Sequence, residues 1–242
     1  MQIKFFSKLI LLIIISLISI SKSHSAISLD RTRVIFNESD KSVLVHISND
    51  NKQLPYLAQA WLENDKMQKI TKGPIVLTPP LQRVEPDEKS LITLSGTPDL
   101  HKLPQDRESV FYFILREIPP KSIKENTLQI ALQTKIKLFY RPKKIEVYSE
   151  KEWQNEITLA SENDGYRVIN STPFYLTIVG FAGSESEVKT KKIESMMIPP
   201  KSSQLFRSSK YATPYLSYIN DYGGRSIIQF SCNSGSCVTV KK

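Results

Sequence analysis

Apolar positions along the chain fall in short runs of β-branched and aromatic residues, each closed by turn formers. Residues 43–47 end at Ser48-Asn49-Asp50-Asn51, 56–62 at Glu63-Asn64-Asp65, and 75–77 at Thr78-Pro79-Pro80. Residues 91–94 end at Ser95-Gly96-Thr97-Pro98, 110–118 at Pro119-Pro120 and 128–141 at Pro142. No window carries a long stripe of helical period. The pattern predicts an all-β chain built as sandwiches. A second series, 166–169, 175–179, 193–198, 216–219 and 227–232, begins after Pro142-Lys143-Lys144. The charged stretch 143–153 is the expected junction. Two sandwiches of about 115 and 100 residues suit the length better than one.

The first 25 residues have another pattern. Lys4 and Lys8 precede a run of Leu and Ile over 9–20, broken only by Ser16 and Ser19. Ser23-His24-Ser25 then puts small residues at the −3 and −1 positions of a cut before Ala26. These are the three regions of a secretory leader. The apolar run is too short for the roughly 20 residues of a spanning helix. Residues 1–25 are therefore expected to be removed on export, leaving a first domain over 26–142 and a second over 143–242.

Composition adds limits. Of 242 residues, 40% are hydrophobic and 24% charged, an ordinary globular balance. The formal charge is +9, and three leader lysines account for part of it. The remaining Lys and Arg are scattered, and an exported chain is a poor nucleic-acid binder, so no nucleic acid is expected. Two Cys and three His leave little room for metal chemistry, and no metal or cofactor is expected. Export implies an oxidising compartment. Cys232 and Cys237 flank the turn Asn233-Ser234-Gly235-Ser236 and are expected to form a disulfide, with two free thiols as the alternative.

One run is abnormal. Residues 128–141 form an expected strand of about fourteen residues, against the usual ~5–6. Leu128, Ile130 and Leu132 alternate with Gln129, Ala131 and Gln133, with no Pro or Gly to blunt the edge. Such a strand is either central in its sheet or an edge that invites another chain. The second case is strand addition, in which main-chain bonds give affinity and alternate side chains fill the partner's groove.

Further segments sharpen this. They include Ile27-Ser28-Leu29-Asp30-Arg31-Thr32-Arg33, Pro55-Tyr56-Leu57-Ala58-Gln59-Ala60-Trp61 and Leu103-Pro104-Gln105-Asp106-Arg107-Glu108-Ser109. Others are Phe111-Tyr112-Phe113-Ile114-Leu115-Arg116-Glu117-Ile118-Pro119-Pro120, Leu128 through Pro142, and Tyr218-Ile219-Asn220-Asp221-Tyr222-Gly223-Gly224. With them the chain resembles the periplasmic pilus chaperones of the PapD-like chaperone–usher family over nearly all of residues 26–242.

The resemblance implies two immunoglobulin-like sandwiches set as a boomerang, and a binding role without catalysis. Such a chaperone caps pilus subunits by lending a strand to their incomplete immunoglobulin-like fold, then delivers them to an outer-membrane usher. Leu128, Ile130 and Leu132 would be the donated side chains. Arg33 and Lys137 would hold the carboxylate at the C-terminus of the bound pilin. Glu108, Arg141 and Asp221 would form a charged trio linking the domains. Free, the chaperone could self-associate to cover its exposed row. Alternation places Lys137 on the face opposite Leu128, Ile130 and Leu132, and a bulge between Leu132 and Lys137 would reconcile the two roles.

Rival readings are weaker. His46 and His101, the only His beyond the leader, lie in no triad context, and Ser186-Glu187-Val188-Lys189 lacks the partner motifs of an S-x-x-K enzyme. A secreted immunoglobulin-like receptor or adhesin is the alternative binding protein. Its domains would carry a Cys–Trp–Cys pattern, which this chain lacks, since no Cys flanks Trp61.

Overall fold

The computed structural model describes residues 25–240 apart from 124, 150 and 192, so the leader reading falls outside the described residues except at Ser25. The first unit contains β1 (Ile27–Leu29), β2 (Arg33–Asn37), β3 (Ser42–Asn49), β4 (Tyr56–Glu63), β5 (Lys69–Ile70) and β6 (Ile75–Thr78). It continues with β7 (Leu81–Val84), β8 (Lys89–Gly96), a 3-10 turn (Pro98–Lys102), β9 (Ser109–Ile118) and β10 (Gln133–Arg141). One sheet has the order β1-β3-β8-β6. The other has the order β2-β10-β9-β4-β5, with β7 also on β4. Alternate residues of both sheets meet in one core. Val45 and Ile47, Ile92 and Leu94 face Phe113 and Leu115, Leu138 and Tyr140. This is the two-layer solution open to sheets with one apolar face.

The second unit begins with α1 (Lys143–Ser149) and a 3-10 turn (Trp153–Glu156), so the charged junction is helical. Ile145 and Trp153 anchor it in the second core, an apolar spacing that is too brief to show as a helical stripe. There follow β11 (Ile157–Glu162), β12 (Gly165–Asn170), β13 (Leu176–Ala182), α2 (Glu185–Thr190) and β14 (Met196–Ile198). The unit ends with β15 (Ser202–Arg207), β16 (Tyr215–Ile219), β17 (Arg225–Asn233) and β18 (Ser236–Thr239). Its strand order is β14-β13-β16-β17-β18-β11-β12-β15. The fold is all-β in two units, as the pattern predicted. Cys232 and Cys237 are register partners in the β17–β18 hairpin and are disulfide-bonded. The hairpin turns through Ser234 and Gly235, both at positive φ, where a small, unbranched pair is needed.

The strand expected over 128–141 is shorter in the structure. Only Gln133–Arg141 is strand, and 119–132 connects it to β9. Pairing explains the difference. In register, residue 131 would face Ile118, the last residue of β9, and Pro119-Pro120 beyond it offer no N–H. On the other edge β2 pairs only with 137–141. Residues 128–130 therefore have no ladder partner on either side, and a backbone without one is not held as strand. The pairing of β10 with β9 runs from Gln133 to Tyr140 without a register shift. The bulge that would have reconciled Lys137 with the Leu128 row is absent over that span. Ile136, Leu138 and Tyr140 continue the row into the core, while Lys137 and Phe139 lie on the outer face.

Candidate functional site

The outer face of β10 and β9 is apolar where the two units meet. Val110, Tyr112, Ile114 and Phe139 pack there with Tyr175 and Met197 of the second unit. Phe139 and Tyr175 stack with centroids 5.4 Å apart. Beside this floor a cleft of about 550 Å3 opens, lined by Arg31, Arg33, Ile35, Arg141, Asp221 and Tyr222.

Arg33 and Lys137 come together at this place. They are direct register partners in the parallel pair β2–β10, and so share a face. Both are half-buried. Arg33 donates from Nη1 to the Ile219 carbonyl at 3.0 Å, and its guanidinium carbon lies 5.9 Å from the Phe139 ring centre. Its Nε is buried with no hydrogen-bond partner. Burial pulls the Arg33 pKa down, against the attraction of Asp221 and Glu108. Burial, and then the neighbouring Arg33, lower that of Lys137. Neither residue has an ion pair among the described residues. Two partly dehydrated cations side by side, one with an orphaned donor, form a site that an anion would relieve.

The trio also assembles. Arg141 donates from Nε and Nη2 to Glu108 Oε1 at 3.0 and 2.7 Å, and from Nη2 to Asp221 Oδ2 at 3.0 Å. Arg141 and Glu108 are almost fully buried, whereas the Asp221 side chain is 36% exposed. The other Glu108 oxygen accepts from Tyr175 N at 2.8 Å. Burial pushes the Glu108 carboxyl up to about 7, opposed by Arg141 and by that amide. Sequence reasoning did not find two supports. The Phe174 ring lies 4.8 Å beneath the Arg141 guanidinium, and Glu108 N donates to the Pro173 carbonyl at 2.9 Å. Lys201 also bonds Asp106 across the two units. The Ile219 carbonyl that holds Arg33 carried no sequence signal, because a main-chain acceptor is independent of residue type.

The row Leu128, Ile130, Leu132 is 86, 68 and 42% exposed. The Gln129 side chain bonds back across the connection, donating to Pro120 O at 2.6 Å and accepting from Ser122 N at 3.4 Å. At the segment's end a backbone rung runs from Glu117 N to Leu132 O at 3.0 Å. From 133 to 136 the side of β10 that β2 takes up further on is unpaired among the described residues.

Known proteins resemble this chain over nearly its whole length. A family model described as "Pili and flagellar-assembly chaperone, PapD N-terminal domain" matches residues 26–146, and "Pili assembly chaperone PapD, C-terminal domain" matches 152–230. Chaperone protein PapD of Escherichia coli is 56% identical over 235 residues, covering 97% of this chain and 98% of that one. Chaperone protein PmfD of Proteus mirabilis is 37% identical, covering 95% and 92%. Among solved structures, the periplasmic chaperone SfaE superposes with a TM-score of 0.69 at 27% identity, over 84% of this chain and 98% of that one. The SafB chaperone of Salmonella enterica, solved with the SafA pilin, gives 0.72 at 21% identity over 88% and 99%, a likeness of fold.

Proposed function

The chain belongs to the PapD-like family of pilus-assembly chaperones, and from that membership we propose that it captures pilus subunits in the periplasm by lending them a β-strand and passes them to an outer-membrane usher. It does so without catalysis and without a cofactor. The matched relatives are named as chaperones, and SafB was solved with a pilin on it.

The observation that carries this reading is the exposed row Leu128, Ile130, Leu132 on a segment that leads directly into the unpaired edge of β10. Soluble proteins seldom leave such a row bare. An incoming strand would extend β10 backwards over 128–136, with the Gln129 bonds to Pro120 and Ser122 released. Each apolar side chain would contribute about 1.5–3 kcal/mol on burial in the pilin's groove.

The same geometry supports a direction and a register for the incoming strand. The free edge ends where β2 begins, at Arg33 opposite Lys137. A strand whose C-terminal carboxylate stops against these cations runs toward Lys137, parallel to β10. Anchor and row then lie on opposite faces without conflict, because the carboxylate meets the cations end-on. Fixing the terminus fixes the register, since a one-residue slip would turn every side chain to the wrong face. The trio of Glu108, Arg141 and Asp221 holds the angle of the cleft in which the terminus sits.

The test is co-expression of a pilin with Ile130→Glu or Gln129→Glu chaperone. Ile130→Glu should melt normally yet fail to protect the pilin, because its charge would enter an apolar groove unpaired. Gln129→Glu, on the other face, should protect. Capture retained by Ile130→Glu would reject strand lending through this segment.

A further inference from the structure

Glu117 is a buried carboxylate without a cation. It follows Phe113 and Leu115 in the inward row of β9 and is 5% exposed, and among the described residues no ion pair reaches it. Its Oε2 accepts from Ser25 Oγ and from Ile27 N, both at 2.9 Å. These donors bracket Ala26, which is itself buried and whose carbonyl accepts from Asp50 N at 2.7 Å. A carboxylate stripped of water is costly unless paired with a counter-charge. A hydroxyl and an amide do not supply one.

Leader removal would supply it. Hydrolysis of the Ser25–Ala26 peptide bond adds the hydroxyl of water to the Ser25 carbonyl carbon and its hydrogen to the Ala26 nitrogen. That nitrogen then takes a proton from solvent and becomes an α-ammonium. It lies one residue from an amide already bonded to Glu117. We propose that Glu117 is the receptor for the mature amino terminus, its hydrogen bond from Ser25 replaced on processing by an ion pair with the Ala26 α-ammonium. The pair would fasten β1 of one sheet to β9 of the other. It would also secure the root of the 119–132 segment, because Glu117 N makes the last rung to Leu132 O. A precursor that keeps its leader would hold that root less firmly than the processed chain.

The proposal rests on cleavage before Ala26 and is independent of how pilins are captured. The exported protein, with its first residue fixed by intact mass and terminal sequencing, is compared with a chain extended by one residue, each as wild type and as Glu117→Gln. The amino terminus should be Ala26. Extension should lower the melting temperature of the wild type by about 2–4 °C and leave that of E117Q unchanged. A second readout needs no variant at Glu117. A pKa raised by one unit leaves about a tenth of the free amine, so the Ala26 amino group should acylate about tenfold more slowly than the extended one. A different first residue, a wild-type melting temperature indifferent to extension, or equal acylation rates would each overturn the proposal. No readout involves a pilin, so such a failure would leave the capture reading untouched.

Discussion

Lys137 stands directly across the parallel β2–β10 pair from Arg33, and neither half-buried cation has an ion-pair partner among the described residues. Like charges held together in a partly dry cleft are unfavourable until an anion joins them. Replacing either by Ala is expected to leave the fold intact and to weaken pilin binding by about 2–5 kcal/mol, a loss of about thirtyfold or more. Titration of a peptide copying the pilin's last strand, with a free terminal carboxylate, against each variant measures it. Wild-type affinity in Arg33→Ala would remove the anchor from the account.

The lowered pKa of Lys137 gives the anchor a pH dependence. Burial, then Arg33, disfavours its charged form, so it loses its proton at lower pH than an ordinary lysine, which titrates near 10.4. Binding a carboxylate favours the charged form. Affinity should therefore be flat near neutrality and fall on the alkaline side before the usual lysine range. Lys137→Arg should keep its charge and flatten the fall. An identical decline in wild type and K137R would show that another group titrates.

Arg141 is the centre of the trio, and removing it strands a buried carboxylate. Arg141→Ala should cost about 3–5 kcal/mol, whereas Asp221→Asn, at a partly exposed partner, should cost about 0–1. The sign of the pH effect follows from Glu108. Its folded pKa is raised, so its favourable contribution is present in acid and lost as pH rises through about 7. Without Arg141 the carboxyl rises further. The R141A deficit should be small near pH 5 and deepen above neutrality in thermal melts, and a pH-independent deficit would contradict this.

The Cys232–Cys237 bond closes a hairpin distant in sequence from residues 128–141. Denatured, unreduced protein should show no free thiol. The double Ser variant should lose stability at the low end of about 2–4 kcal/mol, since the closed loop is short, and should still capture pilins. Loss of capture in a folded variant would tie the hairpin to the binding face.

The sequence made the sandwiches legible because period-2 alternation reports a half-buried sheet directly, as in β3 and β4. It missed β5, which has only two residues, and β15, whose Ser202–Arg207 is largely polar and buries no residue fully. It overextended β10 because the alternation in 128–132 continues that of β10, while β2 and β9 offer no ladder partner there. It marked 143–153 as the junction but not its helical form, because Ile145 and Trp153 alone mark the buried side. In the candidate site, the resemblance named Arg33, Lys137 and the charged trio, and the structure brings each group together. The Ile219 carbonyl, the Phe174 ring under Arg141 and the seat of Glu117 depend on tertiary contact and left no local trace.

If a bound pilin turns residues 128–136 into a paired strand, residue-resolved amide hydrogen exchange on the free chaperone and on its complex with a pilin will show it. Exchange should be fast over 128–132 in the free protein and strongly slowed at alternate amides over 128–136 in the complex, with that protection lost in Ile130→Glu. A complex that holds its pilin while 128–132 exchanges as fast as before would contradict that pairing.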